Sequence, residues 1–155
     1  MSYTVRVERV VSGPIAVVRR RVAQRELPKV IPEACGLVWN AVKAAGVTDA
    51  GRHVAIYRDC GGGLLDIEVG VEVGSAFGGR DEVVGSITPA GEAATGTHFG
   101  PYQKLREANE AIRQWCAAQG RIRAGVSWEI YGHWVDEWNN DPSKIRTDVF
   151  YLLKN

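Results

Sequence analysis

The sequence lacks the charge surplus and the long apolar run that mark several large classes of protein. Its 155 residues carry 19 lysines and arginines against 18 aspartates and glutamates, a net charge of +1. That balance provides no basic field for a phosphate backbone, so binding to nucleic acid through bulk charge is excluded. The opening stretch MSYTVRVERV is already charged, so the sequence predicts neither a signal peptide nor a membrane span.

Cysteine pairs and metal-ligand patterns are also missing. Cys35, Cys60 and Cys116 are odd in number and far apart, and no histidine stands at metal-ligand spacing. We therefore predict reduced thiols in a cytoplasmic protein without a metal or another cofactor. The glycines of CGGGLLD precede a strand and are not followed by Lys-Ser or Lys-Thr, which favours a hairpin turn over a phosphate loop.

The first half of the chain has the pattern of strands around one helix. The hydrophobic content of 45% is ample for the core of a single domain over residues 1–155. TVRVERVV and PIAVVRRRV predict two strands, and HVAIYRD and LLDIEVGVEV predict a hairpin. Between them, apolar residues at helical spacing predict a helix from about Ile31, with Pro32 in its first turn and Gly46 at its end.

The second half repeats this order. A strand region near Val83 to Phe99 precedes a helical pattern from Pro101 to Gly120, and VSWEIYGHW and RTDVFYLL then predict two strands. Strand, helix, strand, strand thus occurs twice, in half-repeats of about 1–76 and 82–155. We predict an α+β fold, with an antiparallel sheet, helices on one side, pseudo-twofold symmetry and a ligand groove between the halves.

The stretch WEIY places an acid inside an aromatic run. Because side chains alternate along a strand, Glu129 and Tyr131 share one face, and Trp128 and Ile130 are expected on the other face, beneath the helices. Aligning HVAIYRD with SWEIYGH sets Tyr57 against Tyr131, and an alanine against the acid. An alternative is that Glu129 is an exposed strand acid, or is paired with an arginine such as Arg146.

Four motifs in order resemble one family. HFGPYQKL, the helix ending AAQG, WEIY and the terminal RTDVFYLL are similar to the GyrI-like small-molecule-binding domain, the effector-binding domain of AraC-type and multidrug-responsive transcription regulators. The resemblance runs from about Pro14 to Leu153. It implies a groove for lipophilic, often cationic, aromatic compounds, in which Glu129 is the counter-charge. Tyr131 and Tyr57 would flank it, and Phe150 would be the pocket aromatic.

This chain departs from the family pattern by the segment from Trp134 to Lys144. That insertion either covers the groove, which would add Trp134 to the ligand-binding residues, or only lengthens the hairpin. The sequence is otherwise filled by the domain, so we expect a stand-alone member without a DNA-binding segment. Trp39 and Trp115 are expected in the core, and Glu68 and Glu72 in solvent.

Three functions are compatible with these patterns. The first is a binding protein for hydrophobic, preferably cationic, aromatic molecules. The second is implied by the resemblance, because some stand-alone members of the family resemble hydrolases of reactive cyclopropane-containing xenobiotics; here Glu129 would be a general base or acid helped by Tyr131. The third is an interaction module for a protein partner, as the gyrase-inhibiting relatives imply.

Overall fold

The computed structural model describes residues 3–133 and 135–155, which form eight strands and three α-helices. In chain order these are β1 (Arg6–Val10), β2 (Pro14–Ala23), α1 (Leu27–Ala44), β3 (His53–Gly61), β4 (Leu64–Glu72), β5 (Val84–Ile87), β6 (Gly91–Phe99), α2 (Leu105–Ala118), β7 (Arg123–Tyr131), α3 (Glu137–Asn140) and β8 (Arg146–Leu153). None of the helices in these described ranges is both long and apolar enough to cross a membrane. The α+β fold class is confirmed.

The chain forms two compact units. Met1–Val10 and Ala90–Asn155 make up one, here called the C-terminal unit, and Val11–Pro89 make up the other, the N-terminal unit. The order strand, helix, strand, strand occurs in each, as β2-α1-β3-β4 and as β6-α2-β7-β8. The predicted repetition is therefore confirmed. Three further features stay predictions. They are a single domain with half-repeats 1–76 and 82–155, the pseudo-twofold symmetry, and a groove between the halves.

The C-terminal unit is a four-stranded antiparallel sheet in the order β1-β6-β8-β7, with α2 on one face. Apolar residues at helical spacing turn one stripe of α2 toward β6 and β8. The core cluster consists of Ala94, Leu105, Ala108, Ile112, Cys116, Val149, Tyr151 and Leu153. A fully buried side chain such as Ile112 contributes about 1.5–3 kcal/mol through its removal from water.

The N-terminal unit has the same internal plan. Its antiparallel order is β3-β4-β2-β5, and α1 packs on β2 and β4. The completely buried valines of α1, β2 and β4 are Val17, Val18, Val38, Val42, Val69 and Val71. β5 takes the edge place beside β2 that β1 takes beside β6. Each unit thus buries one face of its sheet under a single helix.

The first helix begins earlier than the sequence predicts. α1 starts at Leu27, with Pro28 in its first turn, and Pro32 lies inside the helix. Glu26 stabilises this start, because its carboxylate accepts a hydrogen bond from the backbone N–H of Ala23. An interior proline removes one helical hydrogen bond at a cost of about 3 kcal/mol, which is why Pro32 was expected at the start. The prediction of Trp39 as a core residue was also wrong, since this side chain is 42% exposed.

Candidate functional site

Glu129 lies on the face of its sheet that α2 covers. In β7 it stands directly opposite Val149 of β8, and Val149 belongs to the core cluster under α2. Residues that pair across antiparallel strands project to the same side, so Glu129 and Tyr131 both face α2. Their predicted shared face is confirmed. Glu129 is only 7% exposed, which rules out an exposed strand acid, and Arg146 pairs instead with Asp148.

Two predictions about the opposite face were wrong. Trp128 and Ile130 were expected beneath the helix, and Phe150 was expected beside Glu129. Trp128 instead pairs with Phe150 on the side away from α2, where the two rings stack with centroids 5.1 Å apart. Strand alternation defines two sets of side chains but not which set meets the helix. Because Trp128 is buried as well, its apolar character did not distinguish the two faces.

Both oxygens of the Glu129 carboxylate accept hydrogen bonds. The hydroxyl of Tyr131 donates to Oε1 over 2.7 Å, and Nδ2 of Asn109, in α2, donates to Oε2 over 3.2 Å. An ionised carboxylate accepts in this way and retains further lone pairs. The ring of Tyr102 meets that of Tyr131 edge to face, with centroids 5.7 Å apart. The acid therefore lies beside an aromatic pair.

The hydrogen bonds continue from Asn109 toward the surface. Tyr151 donates its hydroxyl proton to Oδ1 of Asn109 over 2.7 Å, and Nη1 of Arg113 donates to the Tyr151 oxygen over 2.9 Å. These residues, with Glu129 and Tyr131, are called the Glu129 network. Burial raises the pKa of Tyr151, the charge of Arg113 opposes this shift, and the charge of Glu129 adds to it. The phenol therefore stays protonated and can donate to Asn109.

Asn109 and Tyr151 were missed by sequence reasoning. The signal for Asn109 is its place four residues after Leu105, on the stripe that α2 turns toward the sheet. A polar residue on an apolar stripe requires hydrogen-bond partners, and besides the carbonyl oxygen of Leu105 in its own helix these are carried by β7 and β8. Tyr151 alternates with Val149 and Leu153 and looks like an ordinary core residue of a strand. Its hydroxyl is the part that the pattern does not reveal.

The remaining predicted site residues lie elsewhere. Tyr57 belongs to β3 of the N-terminal unit, where it stands opposite Ile67, and its nearness to Glu129 stays a prediction. Trp134 lies outside the described residues. After it come α3 and a single 3-10 turn, and Cη2 of Trp138 lies 2.9 Å from where a side chain on Gly132 would begin. The described part of the insertion therefore packs against the end of its own hairpin.

The N-terminal unit contains a second buried acid. Glu68 was expected in solvent, but it is buried and accepts hydrogen bonds from Arg19 Nε over 3.1 Å and from the Ser86 hydroxyl over 2.7 Å. Glu68 stands opposite Arg19, and strand alternation places this pair on the other side of the sheet from the neighbouring pair Val18 and Val69. An open surface cavity of about 570 Å³ adjoins it, lined by Arg19, Arg20, Arg21, Arg58, Asp66, Ile67 and Glu68. This acid is thus compensated by an arginine of its own unit.

Comparison with known proteins agrees with this architecture. The EcmrR C-terminal domain superposes with a TM-score of 0.79 at 23% identity, covering 100% of this chain and 99% of that one. SAV2435 bound to tetraphenylphosphonium gives 0.69 at 11% identity, covering 100% and 95%. A hydrolase from Listeria innocua gives 0.63 at 11% identity, covering 99% and 93%.

No protein with a curated description matches the chain. The family model that describes the GyrI-like small molecule binding domain matches residues 3–154, which is nearly the whole sequence. The chain therefore belongs to the GyrI-like small-molecule-binding domain family.

Proposed function

We propose that this small-molecule-binding domain takes hydrophobic, preferably cationic, aromatic compounds, and that Glu129 supplies the counter-charge. The observation that carries the proposal is the buried Glu129 carboxylate, which accepts hydrogen bonds from Tyr131 and Asn109 beside the Tyr131–Tyr102 ring pair. Support from a relative comes from SAV2435, whose structure contains the lipophilic cation tetraphenylphosphonium.

Desolvation of Glu129 and the nearby aromatic rings favour a cation at this carboxylate. A carboxylate removed from water loses hydration at a cost of several kcal/mol unless a cation or hydrogen bonds offset it. Two hydrogen bonds offset part of this cost for Glu129, and a lipophilic cation offsets more. The rings of Tyr131 and Tyr102 add about 0.5–2 kcal/mol for each well-placed cation contact. Apolar ligand surface contributes about 25 cal/mol per Å² removed from water. Because this contribution depends on buried area and not on a particular ligand structure, we expect broad specificity, with the acid selecting for positive charge.

The test is calorimetric titration of tetraphenylphosphonium into the protein and into Glu129→Gln. Glutamine keeps the size of the side chain and removes its charge, so we expect binding to weaken by about tenfold to a hundredfold, or 1.4–2.8 kcal/mol. Glu68→Gln is the matched control, because it removes a similarly buried carboxylate that already faces Arg19. Equal affinities in the wild type and in Glu129→Gln would refute the counter-charge role.

Hydrolysis of reactive cyclopropane-containing xenobiotics is the second proposal. It is favoured by the 2.7 Å hydrogen bond between Tyr131 Oη and Glu129 Oε1, and by the similarity to a hydrolase from Listeria innocua. Glu129 would take a proton from a water molecule as the water oxygen attacks a ring carbon. It would return that proton to the carbon released when the ring C–C bond breaks. Mass spectrometry of such compounds after incubation detects the added water. Unchanged compound after many equivalents excludes this reaction.

Two further predictions concern surroundings and partners. A cytoplasmic location is inferred from the cysteines, since Cys35, Cys60 and Cys116 are all free thiols. A protein partner of the kind implied by the gyrase-inhibiting relatives ranks below the two small-molecule proposals. Co-purification of one stoichiometric protein partner would favour the interaction module over the two small-molecule proposals.

A further inference from the structure

A row of side chains crosses the sheet of the C-terminal unit next to Glu129. Thr147 of β8 stands opposite His98 of β6 on one side and opposite Tyr131 of β7 on the other. Directly opposed residues have Cβ atoms about 4.5–5.5 Å apart and project to the same side. Thr147 alternates with Val149, so it faces α2 as Glu129 does. Glu129 is its diagonal neighbour, at a separation of about 7–8 Å.

The hydroxyl of Thr147 is buried without a hydrogen bond. Thr147 is 0% exposed, and its Oγ1 has no hydrogen-bond partner among residues 3–133 and 135–155. The neighbouring His98 ring does not supply one, since its Nδ1 bonds Tyr3 Oη and its Nε2 bonds the carbonyl oxygen of Pro101. A buried hydroxyl left unpaired costs about 1–3 kcal/mol, and valine has the same shape without that cost.

Another buried threonine of the same unit is fully satisfied. Thr95 is 1% exposed, and its hydroxyl donates to the carbonyl oxygen of Val149 over 2.8 Å. It stands opposite Phe150, on the face away from α2. The strands of this unit are therefore able to pair a buried threonine with their own backbone. The orphaned hydroxyl is the one on the Glu129 face.

We propose that Thr147 is a hydrogen-bonding subsite for the ligand that binds at Glu129. This inference rests on the proposed function and narrows the ligand class to lipophilic organic cations with one hydroxyl or carbonyl oxygen. When the cationic centre lies at Glu129, a ligand oxygen on the far side of one benzene ring from that centre can reach Thr147. The width of such a ring matches the diagonal separation of Glu129 and Thr147. Because Thr147 is fully buried, a neighbouring side chain moves aside as the ligand enters.

Two phosphonium ions of nearly equal size test the subsite. They are (4-hydroxyphenyl)triphenylphosphonium and (4-methylphenyl)triphenylphosphonium, and calorimetry gives the ratio of their affinities. We expect Thr147→Val to shift this ratio by about fivefold against the hydroxyl compound, in line with the loss of one net hydrogen bond. Thr147→Ser keeps the hydroxyl and should keep most of the ratio. Thr95→Val, the matched control, should leave it unchanged.

Thermal unfolding of the variants without ligand gives an independent measurement. Thr147→Val should unfold at the same temperature as the wild type or higher, because no hydrogen bond is lost, whereas Thr95→Val should unfold at a lower temperature. A decrease for Thr147→Val as large as that for Thr95→Val would overturn the proposal, since the hydroxyl would then be paired within the protein, for example by a buried water.

The two levels of inference fail differently. If both phosphonium ions bind and Thr147→Val leaves their affinity ratio unchanged, only the subsite is refuted. If neither ion binds, or if Glu129→Gln binds both as tightly as the wild type, the proposed function fails and the subsite falls with it.

Discussion

The two units carry different chemistry at matching positions. Counting from the glycines that end their helices, Gly46 and Gly120, sets Cys35 against Asn109 and Ala55 against Glu129. Ala55 is completely buried, as its counterpart nearly is, but it has no polar group to satisfy. The acid and its amide partner are thus both replaced in the N-terminal unit.

Tyr151 and Arg113 of the Glu129 network are replaced as well, whereas Tyr131 is matched by Tyr57. Val71 holds the place of Tyr151, since each stands opposite the residue two before the Ala55 or Glu129 position. Trp39 holds the place of Arg113 on the helix. An apolar set therefore supports the same strand and helix arrangement in one unit, so the fold itself does not need the polar set. Buried polar groups are costly when incompletely satisfied, and this comparison is consistent with the proposed role of the network in ligand binding.

Removing the amide from the network should have the largest effect on stability. Asn109→Leu keeps the branched shape of the side chain but leaves Oε2 of Glu129 without this donor and the hydroxyl of Tyr151 without its acceptor. We expect the free energy of unfolding, measured by urea denaturation, to fall by about 3 kcal/mol. Cys35→Val at the matching position replaces a free, partly buried thiol by an apolar side chain and should cost less than about 1 kcal/mol.

Equal losses in those two variants would break the comparison, because the polar network would then carry no more stability than its apolar counterpart. A loss confined to Asn109→Leu sharpens it. Asn109 also donates to the carbonyl oxygen of Leu105, and Asn109→Leu removes that hydrogen bond too. Asn109→Asp therefore serves as a second variant. It keeps an acceptor for Tyr151 but sets a second negative charge beside Glu129, and it should be at least as destabilising as the leucine.

A smaller effect is expected for the tyrosine, and it depends on pH. Tyr151→Phe removes the hydroxyl that links Arg113 to Asn109, which should cost about 1 kcal/mol near neutral pH. An unfolded tyrosine ionises near pH 10, and burial raises the pKa of Tyr151 in the folded protein. The folded state therefore holds the phenol proton more tightly, and its stability falls as the pH rises above about 10.

Denaturation curves from pH 8 to pH 11 measure this difference. The wild type should lose stability more steeply above pH 10 than Tyr151→Phe, so the two curves should approach each other. The pKa of Tyr3 is also raised, by burial and by Glu107, but that residue is present in both proteins. Parallel curves across the whole range would contradict a raised pKa at Tyr151.

Much of the fold follows from the sequence, because hydrophobic periodicity and glycine or proline signals act locally. The repeated strand-helix-strand-strand order and the C-terminal ends of α1 and α2 are examples. Alternation also placed Glu129 and Tyr131 together correctly. It failed to place Phe150, because alternation alone does not say which side of a strand meets the helix: Phe150 is only partly buried and shares its side of β8 with Arg146 and Asp148. Choosing the face requires the helix contacts, which are not local in sequence.

The partners of the acid were beyond sequence reasoning for a related reason. Asn109 lies 20 residues before Glu129, and Tyr151 lies 42 residues after Asn109. Only the packing of α2 on its sheet brings the three together. The role proposed for Thr147 is harder still to predict from the sequence, since it depends on a hydrogen bond that its hydroxyl does not make within the described residues. A strand pattern records that a threonine is present but not whether its hydroxyl is satisfied.

The central claim is that one buried carboxylate makes this domain select positive charge. The most direct measurement compares the affinity of the wild-type protein for tetraphenylphosphonium with that for tetraphenylborate, which has nearly the same shape and the opposite charge. The account predicts that the cation binds tighter by about a hundredfold, a difference of roughly 2.7 kcal/mol. Equal affinities, or tighter binding of the anion, would contradict it.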